Sequence, residues 1–172
     1  MTYEVLPVGD DQWSIVAWLW QDFRHDLGTV VNGFPLPDGR YRHEWLDAYP
    51  APDRSGYLAW APHPNTGEPA PIGFALVRGL LPDPELSRDE RLMQAFFVVP
   101  AARRDGLGRS FALDVISRHP GLWAIPFQHD NTAARSFWPR VATEAWGAEW
   151  TETTEAVPGR VDVPPDHWIR SR

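Results

Sequence analysis

Cysteine is absent from the 172 residues. Its absence excludes a disulfide framework, a thiol nucleophile, an iron–sulfur cluster and cysteine-ligated zinc. Lysine is absent too: all 16 cations are arginine, as a GC-rich coding bias produces. No uninterrupted apolar run approaches the roughly 20 residues a membrane-spanning helix needs. The opening MTYEVLPVGDDQW has neither the basic n-region nor the apolar h-region of a secretory signal. The expectation is a soluble, cytoplasmic protein with no membrane partner. A net charge of −7 also argues against a general nucleic-acid binder, because phosphate contacts need clustered cations.

Turn formers and aromatics are plentiful, with 18 prolines, 13 glycines and 10 tryptophans. The length suits one domain over residues 1–172, able to bury roughly 70% of the surface of its unfolded chain. Charge is unevenly spread. Residues 1–90 hold 6 arginines against 14 acids, residues 91–140 hold 7 against 3, and residues 141–172 hold 3 against 6. A basic stretch of about 50 residues therefore sits inside an acidic protein.

Residues 2–8 read as a strand. Asp10 and Asp11 then offer an N-cap to a helix whose apolar stripe is Trp13, Val16, Ala17, Trp20, Phe23 and Leu27. Residues 28–41 read as loop and 42–48 as a short helix. Strands follow over 56–61 and 72–81, then a loop over 82–90 and a strand over 91–99 closed by Pro100. A helix is expected over about 104–119, a strand over 122–128 and a helix over about 131–142. Two last strands lie near 146–155 and 163–170. The order says α/β with a mixed sheet.

Within the basic stretch, a strand runs through Pro100 into Arg103-Arg104-Asp105-Gly106-Leu107-Gly108-Arg109, which opens a helix. Glycines there let a ligand approach the backbone. The first-turn amides and the helix dipole favour an anion, and arginines suit phosphate oxygens. A GxxxxGK[ST] loop is absent, and Phe111 stands where a third dinucleotide-fold glycine would be. His43-Glu44 has no second histidine four residues on, so no metal site is expected.

The run Val98-Val99-Pro100-Ala101-Ala102-Arg103-Arg104-Asp105-Gly106-Leu107-Gly108 resembles the V-x-P-x-x-[RQ]-x-x-G-x-[GA] signature of the GNAT superfamily of acetyl-CoA-dependent N-acetyltransferases. A second element, N-x-x-A-x-x-F, follows as Asn131-Thr132-Ala133-Ala134-Arg135-Ser136-Phe137. The resemblance implies the GNAT fold, a mixed sheet of about seven strands with about four helices and splayed fourth and fifth strands. It implies acetyl-CoA as co-substrate, with its pyrophosphate held by Arg103, Arg104, Asp105, Gly106, Leu107, Gly108 and Arg109. Its pantetheine arm would bond like an added strand near Phe97, Val98 and Val99. Asn131, Ala134, Phe137 and Trp138 would meet the thioester end. Pro126, lacking an N–H, suits a strand beside such a gap.

Transfer to an amine needs a base, and a leaving thiolate is helped by an acid. Relatives often place a tyrosine after the phenylalanine of the second motif, where this chain has Trp138, and an indole does not give up its proton. Either Tyr41 or Tyr49 reaches in, or the thiolate leaves with water or a hydrogen bond only. The expected fourth strand carries no glutamate. Candidate bases are His25 and Asp26 at the end of the first helix, Glu44 and Asp47 near the second, and His129 or Asp130 after the fifth strand; His129, beside Asn131, is favoured.

The segment between the first two helices would roof the acceptor site. With the acidic N-terminal half it suggests a small cationic amine as substrate. The Phe23-Arg24-His25-Asp26 helix ending and Phe137-Trp138 are similar to a branch that includes kasugamycin-type aminoglycoside acetyltransferases, which implies antibiotic resistance by acetylating an aminoglycoside. A protein or peptide N-acetyltransferase and a noncatalytic CoA-sensing module are the alternatives. The resemblance leaves room for a homodimer.

Overall fold

The computed structural model describes residues 3–31, 33–79, 90–103 and 105–172. Its seven strands are β1 (Glu4–Pro7), β2 (Arg54–Pro62), β3 (Pro69–Gly79), β4 (Glu90–Val98), β5 (Leu122–Phe127), β6 (Trp150–Glu155) and β7 (Asp166–Ser171). They form one sheet in the order β1-β2-β3-β4-β5-β7-β6. Five neighbouring pairs are antiparallel and β4–β5 is parallel, as its helical crossover requires. The helices are α1 (Trp13–Val31), α2 (Leu107–Ser117) and α3 (Thr132–Trp146).

Alternation along the strands sorts the core onto two faces. On one face Val16, Leu19 and Trp20 of α1 pack with Leu58, Phe74, Leu76, Ala95 and Phe97. On the other, Phe111, Val115, Val141 and Trp138 of α2 and α3 pack with Ala59, Ala75, Val77, Met93 and Val98. Each fully buried leucine, valine or phenylalanine contributes about 1.5–3 kcal/mol. A register shift at Leu76/Val77 leaves Gln94 as an extra residue of β4, so Met93 and Ala95 face opposite sides. The bulge thereby places Phe97 under α1 and Phe96 against Phe111, Phe137 and Trp138.

Four local expectations need correction. The α1 cap is Gln12, not Asp10 or Asp11: its carbonyl accepts from the Val16 amide at 3.3 Å and its side chain from Gly9 at 3.0 Å. Helix α1 continues through Gly28 to Val31, where the Gly33 amide returns to the Gly28 carbonyl at 3.2 Å. Residues 42–48 hold a five-residue 3-10 turn, Glu44–Ala48, because only Leu46 is buried there, so the described chain has three α-helices rather than four. Helix α3 passes Pro139 and runs to Trp146, held by Val141 and Ala142 in the core. The expected loop over 82–90 lies outside the described residues apart from Glu90, as do Leu80 and Leu81 of the expected third strand.

Candidate functional site

Strand β4 leads into a 3-10 turn at Pro100–Ala102, and α2 starts after Gly106. The Val99 amide donates to Ile72 at 2.9 Å, keeping this end of β4 tied to β3. Gly106 occupies the N-cap position at φ +77° with no side-chain cap. A Cβ built on it meets no atom of the described residues within 4 Å, so backbone conformation, not crowding, calls for glycine. Ser110 is the amide that reaches back to the Gly106 carbonyl, at 3.1 Å. The amides ahead of it have no partner four residues back within the helix. Gly108 sits where a Cβ would lie 3.7 Å from both Phe137 and Val98, joining α2 to α3 and β4. Leu107 is buried in the core, Asp105 is exposed, and Arg104 lies outside the described residues.

Two of the flanking arginines, Arg103 and Arg109, are engaged within the protein. Arg109 pairs with Glu144 of α3 at 3.2 Å. Arg103 Nε donates to the Val98 carbonyl at 2.7 Å, and its guanidinium lies 5.4 Å over the Phe97 ring while pairing with the Asp26 carboxylate. Arg103 thus ties the loop to the last carbonyl of β4 and to α1, and Asp26 serves it as counter-ion.

Beyond β5 the chain turns through Gln128, His129 and Asp130 to Asn131, whose side chain caps α3 by accepting from the Ala134 amide at 3.0 Å. Ala134 and Phe137 pack on the core. Trp138 is buried, edge-on to Phe96 at 5.3 Å and to Phe137 at 4.8 Å. The position that holds tyrosine in the resembled motif is therefore filled by a core indole.

The remaining candidates fall into separate groups. Tyr41 is clamped by Gln21, which accepts from its amide at 2.6 Å and donates to its carbonyl at 3.1 Å. Its hydroxyl lies 3.5 Å from His25 Nδ1. Glu44 and Asp47 are exposed on the 3-10 turn. Tyr49 is buried against Trp13, its hydroxyl has no partner among the described residues, and burial pushes its phenol up to about 12 against the pull of Arg54 and Arg78. A phenol so placed is a poor proton donor. Among the described residues no hydrogen bond joins His129 to Tyr41, Glu44 or Asp26, and no cluster of His, Asp and Glu has a metal-binding arrangement.

His129 has partners that no local pattern pointed to. Its Nδ1 lies 3.0 Å from His167 Nε2, and His167 Nδ1 lies 2.6 Å from Glu152 Oε1. Sheet register explains the meeting. His167 pairs with Phe127 on one side and Thr154 on the other. His129 is two residues beyond Phe127 and Glu152 two before Thr154, so all share one face. The sequence signal was faint: one histidine in a strand flanked by Asp166 and Trp168.

No family model and no curated protein matches the chain by sequence. Solved structures do match by shape. Arabidopsis thaliana NAA60 in complex with acetyl-CoA superposes with a TM-score of 0.65 at 14% identity, covering 99% of each chain. The ribosomal-protein-S18-alanine N-acetyltransferase of Escherichia coli gives 0.59 at 13% identity, over 99% of this chain and 93% of its own. A Corynebacterium glutamicum protein described as histone acetyltransferase HPA2 and related acetyltransferase gives 0.65 at 17% identity, over 99% and 96%. No helix among the described residues is long and apolar enough to cross a membrane. The likeness extends along nearly the whole chain, and the architecture is the GNAT fold of acetyltransferases.

Proposed function

We propose that this protein is an enzyme that transfers an acetyl group from acetyl-CoA directly to a primary amine. The observation that carries this reading is where β4 and β5 stop pairing. Their parallel register runs Glu90–Leu122, Arg91–Trp123 and Leu92–Ala124, although β4 continues to Val98 and β5 to Phe127. The later residues of β4 pair with β3 and those of β5 with β7, and Pro126 has no N–H to give. Strands whose pairing ends there would suit an extended pantetheine arm lying on the β4 edge as an added strand. The pyrophosphate would meet the first turn of α2, where the backbone at Gly106 is open. Gly106, Leu107, Gly108 and Arg109 would supply its amides, and Arg104 a further charge.

With no cysteine, an acyl-enzyme through sulfur is excluded. The amine nitrogen attacks the thioester carbonyl, the C–N bond forms, the C–S bond breaks, and CoA leaves as a thiolate. Thiolate is a tolerable leaving group, since a free thiol ionises near 8.5, so Trp138 in place of an acid does not block the chemistry. His129 is the base we assign. Tyr41, Glu44 and Asp26 lose weight because Asp26 is held by Arg103, Tyr41 faces His25 rather than His129, and Glu44 lies exposed on its turn.

The acceptor favoured is a peptide or protein α-amine. One of the similar structures is an enzyme for an alanine of ribosomal protein S18. An α-amine near 7.7–8.0 costs about 1 kcal/mol to deprotonate at neutral pH, against about 5 for an alkyl ammonium. A small cationic, aminoglycoside-like amine is the second reading. It rests on the acidic N-terminal half with exposed Glu44 and Asp47, and is weakened because Asp38 is paired with Arg40 and Asp26 with Arg103. The test is release of CoA thiol from acetyl-CoA with peptides, polyamines and aminoglycosides, beside calorimetric binding of acetyl-CoA. Turnover of peptides alone supports the first acceptor, and turnover of aminoglycosides the second. Binding without thiol release marks a sensing module, and absence of binding overturns the reading.

A further inference from the structure

We propose that Glu152, His167 and His129 form a hydrogen-bonded relay that orients His129 and keeps one of its nitrogens free to take the acceptor's proton. His129 is then the catalytic residue, and His167 and Glu152 are positioning residues. The proposal rests on the acetyl-transfer reading above, but the state of the relay is measurable without it.

The chemistry of the three groups fixes the direction of the chain. An ionised carboxylate only accepts, so at 2.6 Å from Glu152 the His167 Nδ1 carries a hydrogen. A neutral His167 then has a lone pair on Nε2, which at 3.0 Å accepts from His129 Nδ1–H. A neutral His129 with hydrogen on Nδ1 has its lone pair on Nε2. Each link sets the tautomer of the next. The geometry agrees. The two imidazole centroids are 5.2 Å apart with planes 25° apart, as suits rings that meet edge to edge through their nitrogens, and His167 is pinned parallel to Phe127 at 10°. His167 is 7% exposed with both nitrogens engaged, so its orientation is fixed, whereas His129 is only partly buried. A histidine buried for packing alone needs no second histidine on its far nitrogen.

When the amine attacks, its proton passes to His129 Nε2, and the imidazolium formed still donates from Nδ1 to His167. The Glu152 carboxylate meets the new positive charge through the second ring. Orientation of a base by a third group follows the logic of nucleophile–base constellations. Other charged groups around the relay are Asp166 on β7, whose carboxyl is held above its ordinary range by partial burial, with His167 pulling it down, and Asp130 in the turn beside His129. Arg170 of β7 is turned to Glu155 and Glu90 instead.

The test combines long-range 1H–15N NMR of the histidine rings with rates on whichever amine the thiol assay identifies. The relay predicts that His129 in the full-length protein near neutral pH is the Nδ1–H tautomer. Glu152→Gln, conservative and at an exposed site, should mix the tautomers of His129, move the acid limb of the pH profile of kcat/KM, and lower kcat/KM about tenfold with acetyl-CoA affinity unchanged. His129→Gln should lower kcat about 10²–10⁴-fold, the range for a general base. His167→Asn is the bolder variant, and Glu152→Gln decides the matter if it fails to fold. An Nε2–H tautomer for His129 in the wild-type protein, or a Glu152→Gln enzyme with unmoved tautomer and pH profile, overturns the relay while leaving acetyl transfer intact. If no amine releases thiol, acetyl transfer falls and the base role with it, whichever tautomer the NMR reports.

Discussion

Arg103 and Asp26, 77 residues apart, form an ion pair that fastens the glycine loop to α1. The same guanidinium donates to the Val98 carbonyl and covers Phe97. Both partners are about two-fifths exposed, so the charge pair itself contributes at most about 1 kcal/mol. Asp26→Asn should therefore cost less than about 1 kcal/mol in urea unfolding. Arg103→Ala also leaves the Val98 carbonyl without its donor and uncovers Phe97, adding roughly 1 kcal/mol more. An equal loss in both variants would show that the Val98 bond contributes nothing.

Gly106 and Gly108 carry opposite expectations although only Leu107 separates them. At φ +77° a β-branched residue is strained by about 1–2 kcal/mol, and its side chain would enter the space assigned to pyrophosphate. Gly106→Val should weaken acetyl-CoA binding at least about tenfold in calorimetry, a 1.4 kcal/mol effect. Gly108→Ala adds a methyl at ordinary contact distance from Phe137 and Val98, and should bind acetyl-CoA within about threefold of wild type. Unchanged affinity in Gly106→Val would contradict the cradle.

Local signals carried most of the fold and the loop portion of the candidate site. The Pro100–Gly108 loop was legible because a helix start with a left-handed glycine leaves its mark in adjacent residues. The extension of α1 was not, because Gly28 is a poor helix former whose use here depends on Gly33 returning over it. The roles of Arg103 and Asp26 could not be read either, since their pairing follows from how α1 lies on the sheet. The relay was hidden for the same reason. Only the register of β5, β7 and β6 brings His129, His167 and Glu152 onto one face.

The missing lysines make the alkaline limb of stability readable. Between pH 10 and 12 the side chains that titrate are tyrosines. Burial raises Tyr49 to about 12 and also raises Tyr57, so the unfolded chain loses these protons first. The unfolded state binds fewer protons in that window, and stability falls as pH rises from about 10 toward about 12. Tyr49→Phe should flatten part of this fall. Its buried hydroxyl has no partner among the described residues, so the variant should also match or exceed wild-type stability at neutral pH, by up to about 1 kcal/mol. A Tyr49→Phe protein with an unchanged alkaline limb, measured by urea unfolding across pH, would refute the assignment.

Trp138 is where a motif position and a structural role part company. Its indole packs edge-on against Phe96 and Phe137 in the layer between β4 and α3. Trp138→Phe should therefore act as a core truncation, costing about 1–3 kcal/mol in unfolding. Acetyl-CoA affinity should change by less than about threefold, because the neighbouring Gly108 contact and the first turn of α2 are untouched. If Trp138 instead lines the cofactor, affinity and stability will fall together. If it also orders the leaving sulfur by an indole N–H bond, kcat will drop in Trp138→Phe while acetyl-CoA affinity holds. Comparing the binding constant with kcat separates the three roles, and the packing seen here predicts that stability alone responds.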